Sequence, residues 1–191
     1  MILLNNNEMR NEFLYFVDEV FSHDQLKFLN DFFDNTNFHE AQLKSKEVIN
    51  KEVRTSRVAW LDPTEQTGHI YDELFSLVKF VNDDHYHWNL HFLETVQCGE
   101  YGVGGYYKLH TDTGLHSPEG LNRKLSFSIG INDDYLGGEF YIPGSPNQDD
   151  EFKLEKNQAV FFPSSMPHAV KPVTQGTRRS LVGWICGPNF V

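Results

Sequence analysis

A chain of 191 residues with 39% hydrophobic residues is long enough to bury a sizeable core and too apolar to remain disordered. Its net charge of -11 argues against a nucleic-acid partner, whose electrostatic footprint is a basic patch. The apolar run Met1 to Leu4 is cut off by polar Asn5 to Arg10, too short for a signal-peptide core or a membrane span. The two cysteines, Cys98 and Cys186, lie in apolar, strand-like stretches and read as buried, reduced thiols, so a cytoplasmic setting is expected, with no membrane partner.

In chain order, Phe13 to Val20 reads as an opening strand. Ser22 is a candidate N-cap for a helix over His23 to Asn35, where Leu26, Leu29 and Phe33 recur at helical spacing. Val53 to Leu61 reads as one strand ended by Asp62-Pro63, and Pro63 suits the first turn of a second helix. There Ile70, Leu74, Leu77, Val78 and Val81 form a continuous buried stripe. From about Trp88 the pattern changes to short β-rich runs: Asn89–Cys98, Gly105–Thr111, Lys124–Asn132, Gly138–Ile142, Glu151–Glu155, Ala159–Pro163, His168–Pro172 and Arg178–Cys186. Breaks between them, such as Gly99-Glu100, Asp133-Asp134 and Pro143-Gly144, carry turn chemistry. The expected architecture is mainly β with flanking helices, a jelly roll with the N-terminal helices packed on one sheet. Residues 1–191 are expected to form one domain, with 1–87 as helix and strand support and 88–191 as the jelly-roll core.

The sharpest local signal is Tyr107-Lys108-Leu109-His110-Thr111-Asp112. On a strand, residues i and i+2 point to one face, so His110 and Asp112 can aim at one point. A third ligand would come from a distant strand, and His168 in Met166-Pro167-His168 supplies a candidate. Two histidines and one carboxylate form the facial triad of non-haem Fe(II) oxygenases and leave open coordination positions. The trio alone does not name the metal, because zinc takes the same ligands, and HxD occurs often by chance.

Ten residues after His168 stands Arg178. Arg178 and Ser180 share one face of the last strand while Arg179 faces the other way. An arginine aimed into a barrel is costly unless it meets an anion, and a carboxylate held through two hydrogen bonds would meet that need. Ser180 could donate to the same group. Two solvated arginines on an edge strand is the other reading, against which Leu181 to Ile185 reads as buried. Tyr101, in the glycine-rich stretch Tyr101 to Tyr107, is either a donor to that anion or a packed loop residue.

These residues, taken with Arg123-Lys124-Leu125-Ser126, Gly137-Gly138-Glu139-Phe140, Phe162-Pro163-Ser164-Ser165 and Pro172-Val173-Thr174, form an ordered set. The set resembles the prolyl 4-hydroxylase-like Fe(II)/2-oxoglutarate-dependent dioxygenases, in particular their compact microbial branch. The motifs run from about Tyr101 to Pro188, and Val53 to Leu61, with Arg54, Ser56 and Trp60, is similar less specifically. The resemblance implies a double-stranded β-helix and iron held by His110, Asp112 and His168. It also implies that Arg178 pairs with the distal carboxylate of 2-oxoglutarate, assisted by Tyr101 and Ser180. Cofactors would be Fe(II), 2-oxoglutarate and O2, with ascorbate as an optional reductant.

The implied reaction hydroxylates a prolyl residue in a peptide or protein and releases succinate and CO2. Alternatives are a hydroxylase of a free amino acid, a cupin-like binding module without turnover, and a zinc hydrolase, for which Glu139 is the one suggestive base. Collagen-type members carry a lysine at the Arg178 position, and nucleic-acid demethylases carry a second arginine where this chain has Trp184. Substrate contacts are expected from the 113–122 loop with His116, the Thr36–Asn50 segment and the 143–150 loop, although His116 also reads as a plain surface residue.

Overall fold

The computed structural model describes residues 12–41, 52–113, 121–144 and 150–189. The chain runs through β1 (Tyr15–Val17), α1 (His23–Asn35), β2 (His39–Glu40), β3 (Arg54–Thr55), β4 (Arg57–Leu61) and α2 (Gly68–Val81), which a π-helical turn (Asn82–Tyr86) extends. Then follow β5 (Phe92–Leu93), β6 (Val96–Tyr101), β7 (Tyr106–His110), β8 (Leu121–Gly130), β9 (Leu136–Gly137), β10 (Phe140–Ile142), β11 (Asp150–Phe152), β12 (Ala159–Pro163), β13 (His168–Val170), β14 (Val173–Gln175) and β15 (Arg178–Pro188). No helix among the described residues is long and apolar enough to cross a membrane.

Helix α1 begins where the sequence places it. Ser22 Oγ accepts from Gln25 N at 3.3 Å, and Gln25 Oε1 accepts from Ser22 N at 2.9 Å, a capping box that satisfies two backbone donors. Helix α2 buries the expected stripe from Ile70 to Val81. Pro63, however, lies outside the helix, which starts at Gly68. A side-chain-stabilised turn occupies the interval: Thr67 Oγ1 donates to the Asp62 carbonyl at 2.6 Å and accepts from Thr64 N at 2.8 Å. These local bonds supply partners that an earlier helix start would have taken.

The strands form a jelly roll of antiparallel sheets. The larger runs β1-β12-β8-β15-β6-β4-β2, with β5 added beside β15; the smaller runs β11-β10-β13-β7-β3; β9 and β14 form a separate ribbon. Both helices pack on the larger sheet. Leu29 and Phe33 of α1 and the α2 stripe share one core with Val96, Cys98, Leu125, Phe127, Ile129, Leu181 and Ile185. Cys98 and Cys186 are buried thiols that form no disulfide.

Two expectations change. Val53 to Leu61 is not one strand, because β3 pairs with β7 of the smaller sheet while β4 pairs with β6 of the larger. The chain turns the corner between sheets at Ser56, and alternation along a strand cannot reveal a change of partner. Nor does Gly99-Glu100 break the chain: β6 runs through it. Gly99 is paired on both sides, with Ser180 and with Val58, and two ladders outweigh its turn tendency.

Candidate active site

The two sheets enclose a cavity of about 220 Å³. From the smaller sheet, β7 and β13 bring His110 opposite His168 in register, and Asp112 follows just beyond the end of β7. One ligand atom from each of these three residues lies within 4.8 Å of the others. His110 Nε2 is 3.6 Å from one Asp112 oxygen, and His168 Nε2 is 3.5 Å from the other.

Both rings are held so that Nε2 faces this point. His110 Nδ1 lies 2.9 Å from the Lys108 carbonyl and His168 Nδ1 lies 3.0 Å from the Met166 carbonyl. A carbonyl only accepts, so each Nδ1 carries the proton and each Nε2 keeps its lone pair. His110 stacks on Tyr107 at 3.6 Å between ring centres, and His168 lies parallel to Phe140 at 5.4 Å.

The carboxylate is equally constrained. Ser126 Oγ donates to Asp112 Oδ2 at 2.9 Å and lies 2.8 Å from Ser164 Oγ, and the Ser164 carbonyl accepts from Asp112 N at 2.9 Å. Burial by itself would push the Asp112 carboxyl up, but His110, His168 and the Ser126 hydroxyl outweigh it and hold the group below the ordinary carboxylate range. Burial pushes the His168 imidazole down, against the opposing pull of Asp112. An ionised carboxylate beside two imidazoles held neutral by their surroundings is a donor set ready for a divalent cation.

At the other end of the cavity, the β6–β15 register sets Tyr101 directly across from Arg178. Arg178 is 3% exposed. It donates from Nη1 to Ser180 Oγ at 2.8 Å, its guanidinium lies 5.4 Å from the centre of the Tyr101 ring, and it hydrogen-bonds the Tyr135 side chain. These partners are neutral, so the charge is positioned for an incoming anion. Arg179 faces the opposite way, as alternation requires, and binds Asp34 and Glu100 at 2.7 and 3.3 Å.

Sequence reasoning quoted several other cavity residues without giving them roles. Arg123 is held by Glu94 through two bonds of 2.6 Å, and its guanidinium lies 3.8 Å from the centre of the Trp184 ring. Trp184 Nε1 is a buried donor with no acceptor within the protein, and it belongs to the cavity wall. Arg54 and Gln97 join that wall. The available signal was again alternation: Arg178, Ser180, Val182 and Trp184 are every second residue of β15 and all line the cavity. Glu139 is absent from that lining, which removes the base a zinc hydrolase would need. His116, residues 42–50 of the Thr36–Asn50 segment and residues 145–149 of the 143–150 loop lie outside the described residues.

Comparisons agree with this geometry. A family model described as the 2OG-Fe(II) oxygenase superfamily matches residues 96–186. A PKHD-type hydroxylase of Gloeothece citriformis is 42% identical over 97 residues, which cover 49% of this chain and 43% of that protein. Another, from a Picosynechococcus species, is 37% identical over 95 residues, covering 49% and 42%. The chain thus spans less than half the length of these relatives. Among solved structures, a prolyl-4-hydroxylase of Pseudomonas putida superposes with a TM-score of 0.74 at 17% identity, covering 93% of this chain and 94% of that one. A Trichoplax adhaerens prolyl hydroxylase, solved with a hypoxia inducible factor peptide fragment, also gives 0.74, at 16% identity over 91% and 83%. The matched stretch holds all three candidate ligands and the buried arginine, and residues 96–186 of this chain belong to the 2OG-Fe(II) oxygenase superfamily, whose cofactors are Fe(II), 2-oxoglutarate and O2.

Proposed function

We propose that this chain is an Fe(II)- and 2-oxoglutarate-dependent dioxygenase that hydroxylates a C–H bond of a prolyl residue in a peptide or protein, releasing succinate and CO2. One observation carries the reading: a single cavity is lined both by the His110, Asp112 and His168 cluster and by a buried arginine whose partners are all neutral. In this reading His110, Asp112 and His168 hold the iron, and Arg178 receives the distal carboxylate of 2-oxoglutarate beside Tyr101 and Ser180. Bound iron and 2-oxoglutarate would supply the oxidising power for C–H cleavage.

The chain's own residues supply position and exclusion of water. Ser126 and Ser164 fix the Asp112 carboxylate. Phe140 and Phe162 wall His168 with apolar surface. Trp184 Nε1 offers a donor to a substrate carbonyl, the kind of group that a peptide brings. The peptide held by the Trichoplax adhaerens hydroxylase supports the substrate class. We also read the chain as one domain acting in the cytoplasm.

The test mixes anaerobic metal-free protein with Fe(II) and 2-oxoglutarate and records the visible spectrum. A weak charge-transfer band in the wild type, lost in Asp112→Ala and weakened in Arg178→Ala, is the expected result and opens a screen of prolyl peptides. A folded wild type that shows no band would sink the oxygenase reading.

A further inference from the structure

Three arginines line the cavity, and their charges are met differently. Arg123 is neutralised by the two oxygens of Glu94. Arg178 is, in the reading above, neutralised by 2-oxoglutarate. Arg54 is 9% exposed and has no carboxylate partner among the described residues. Its Nε donates to Ser56 Oγ at 2.6 Å and its Nη2 to Gln97 Oε1 at 3.0 Å, and both acceptors are neutral. Its Nη1, with two hydrogens, has no acceptor among the described residues. The guanidinium lies 4.7 Å from the centre of the Tyr107 ring, the same ring on which His110 stacks at 3.6 Å. One tyrosine therefore carries both the candidate metal ligand and the uncompensated cation.

We infer that Arg54 is the receptor for a carboxylate carried by the substrate, close to the carbon that is hydroxylated. A buried cation whose contacts are aromatic faces and neutral dipoles stays costly until an anion reaches it. The unused Nη1, beside Nη2, presents the paired donors that a carboxylate accepts. Its position rules out the bulk acidic surface as partner, since Arg54 opens onto this cavity and onto a neighbouring one of about 280 Å³. The shared ring with His110 keeps the bound carboxylate near the metal position, within reach of one amino-acid residue or its immediate neighbour. The carboxylate has two sources: the α-carboxylate of a free amino acid or C-terminal residue, or an acidic side chain flanking an internal one. The inference rests on the oxygenase reading and narrows its substrate class.

The test uses matched probes that differ only in charge. They are L-proline against L-prolinamide, N-acetyl-glycyl-proline against its amide, and an N-acetylated, C-amidated Gly-Pro-Asp against Gly-Pro-Asn. Each is titrated into anaerobic protein carrying Fe(II) and 2-oxoglutarate, with quenching of intrinsic tryptophan fluorescence as the binding signal and succinate release measured in parallel under air. Trp60 and Trp184 in the cavity wall make that signal local. In wild type, at least one carboxylate probe should bind about tenfold or more tightly than its neutral partner, the size of a charge-assisted hydrogen bond. The first two pairs report an α-carboxylate and the third a side chain. In Arg54→Gln the advantage should fall to about twofold or less with the neutral probes unaffected, while Arg54→Lys should retain part of it.

Equal binding of charged and neutral probes, no saturable binding of any carboxylate probe, or a preference that survives in Arg54→Gln would overturn the inference. So would Arg54→Gln weakening 2-oxoglutarate itself, measured by the charge-transfer band, because Arg54 would then serve the cosubstrate. A wild type without that band is a different failure and strikes the oxygenase reading instead.

Discussion

The larger sheet has two faces that follow opposite rules. Toward the helices, β8 presents Leu125, Phe127 and Ile129, β15 presents Leu181 and Ile185, and β6 presents Val96 and Cys98, all within the main core. Toward the cavity, the same strands present Ser126 and Ser128, Arg178 and Ser180, Gln97 and Tyr101. All six are 0–7% exposed. Burial is thus nearly equal on the two faces while chemistry is inverted. The outer face stabilises through area and packing density. The inner face keeps polar groups out of water and holds them by hydrogen bonds, so its cost is accepted for what the cavity binds. Cys98, on the dry face, shows the outer environment in its purest form: burial pushes its thiol up to about 12.

Substitutions that strike one face should leave the other intact. The largest expected effects are on the inner face. Asp112→Ala should abolish Fe(II) binding, read by equilibrium dialysis under argon. Arg178→Ala should weaken 2-oxoglutarate by about 30-fold or more, since it removes one partner of a buried charged contact worth ~2 kcal/mol or above. Melting temperatures should move little in either case. Next in size is Phe127→Ala on the outer face. Phe127 is fully buried against Phe161, and truncation should cost about 3–5 kcal/mol in urea unfolding. Metal affinity per folded molecule should be unchanged. Loss of metal binding in Phe127→Ala, or large destabilisation in Asp112→Ala, would show that the faces are coupled.

Ser126 gives the sharper contrast, because it is the sequence neighbour of Phe127 and points the other way. Ser126→Ala removes the hydroxyl that donates to Asp112 and that lies against Ser164. Fe(II) affinity should fall about 10- to 100-fold, the usual effect of removing a group that orients a ligand. Ser126→Thr, which keeps the hydroxyl, should restore most of it. Affinity equal to wild type in Ser126→Ala would mean that the backbone bond from Asp112 to Ser164 is sufficient alone.

This two-faced rule also explains what was legible in the sequence. Alternation is a local property, so the placing of His110 with Asp112, and of Arg178 with Ser180 against Arg179, could be read from neighbours in the chain. The helix start at Ser22 was equally local, because its cap spans three residues. Local pattern failed where a partner decided the outcome. Whether Gly99 turned or paired depended on β4 and β15, and whether Arg54 continued the strand of Trp60 depended on two different sheets. The meeting of Arg54, Gln97 and Tyr107 likewise depends on three strands far apart in sequence, which is why Arg54 stood in the sequence without a role. Ser164 was quoted only as part of a motif, because its contact with Ser126 is made across β8 and β12.

The last prediction concerns pH and separates the faces by sign. Burial holds the His168 pKa below its unfolded value of 6.5. As pH falls through 6.5 the unfolded chain takes up a proton on this residue and the native, metal-free protein resists doing so. The unfolded state then binds more protons, so native stability falls with pH from that point downward until the folded pKa is passed. Asp112 has the opposite titration. Its depressed carboxyl contributes stability above the unfolded carboxylate range and loses it only in stronger acid, so it leaves the window around pH 6 untouched. Urea unfolding of metal-free protein at pH 7.5 and pH 5.5 should therefore show a loss that His168→Gln reduces, because the glutamine has no proton to refuse. Phe127→Leu, on the dry face, should shift stability by the same amount at both pH values. With Fe(II) present the slope should steepen, since protons and metal compete for the same Nε2 lone pairs. A pH slope unchanged by His168→Gln would place the titrating group elsewhere and remove His168 as the element of the cavity face that senses acid.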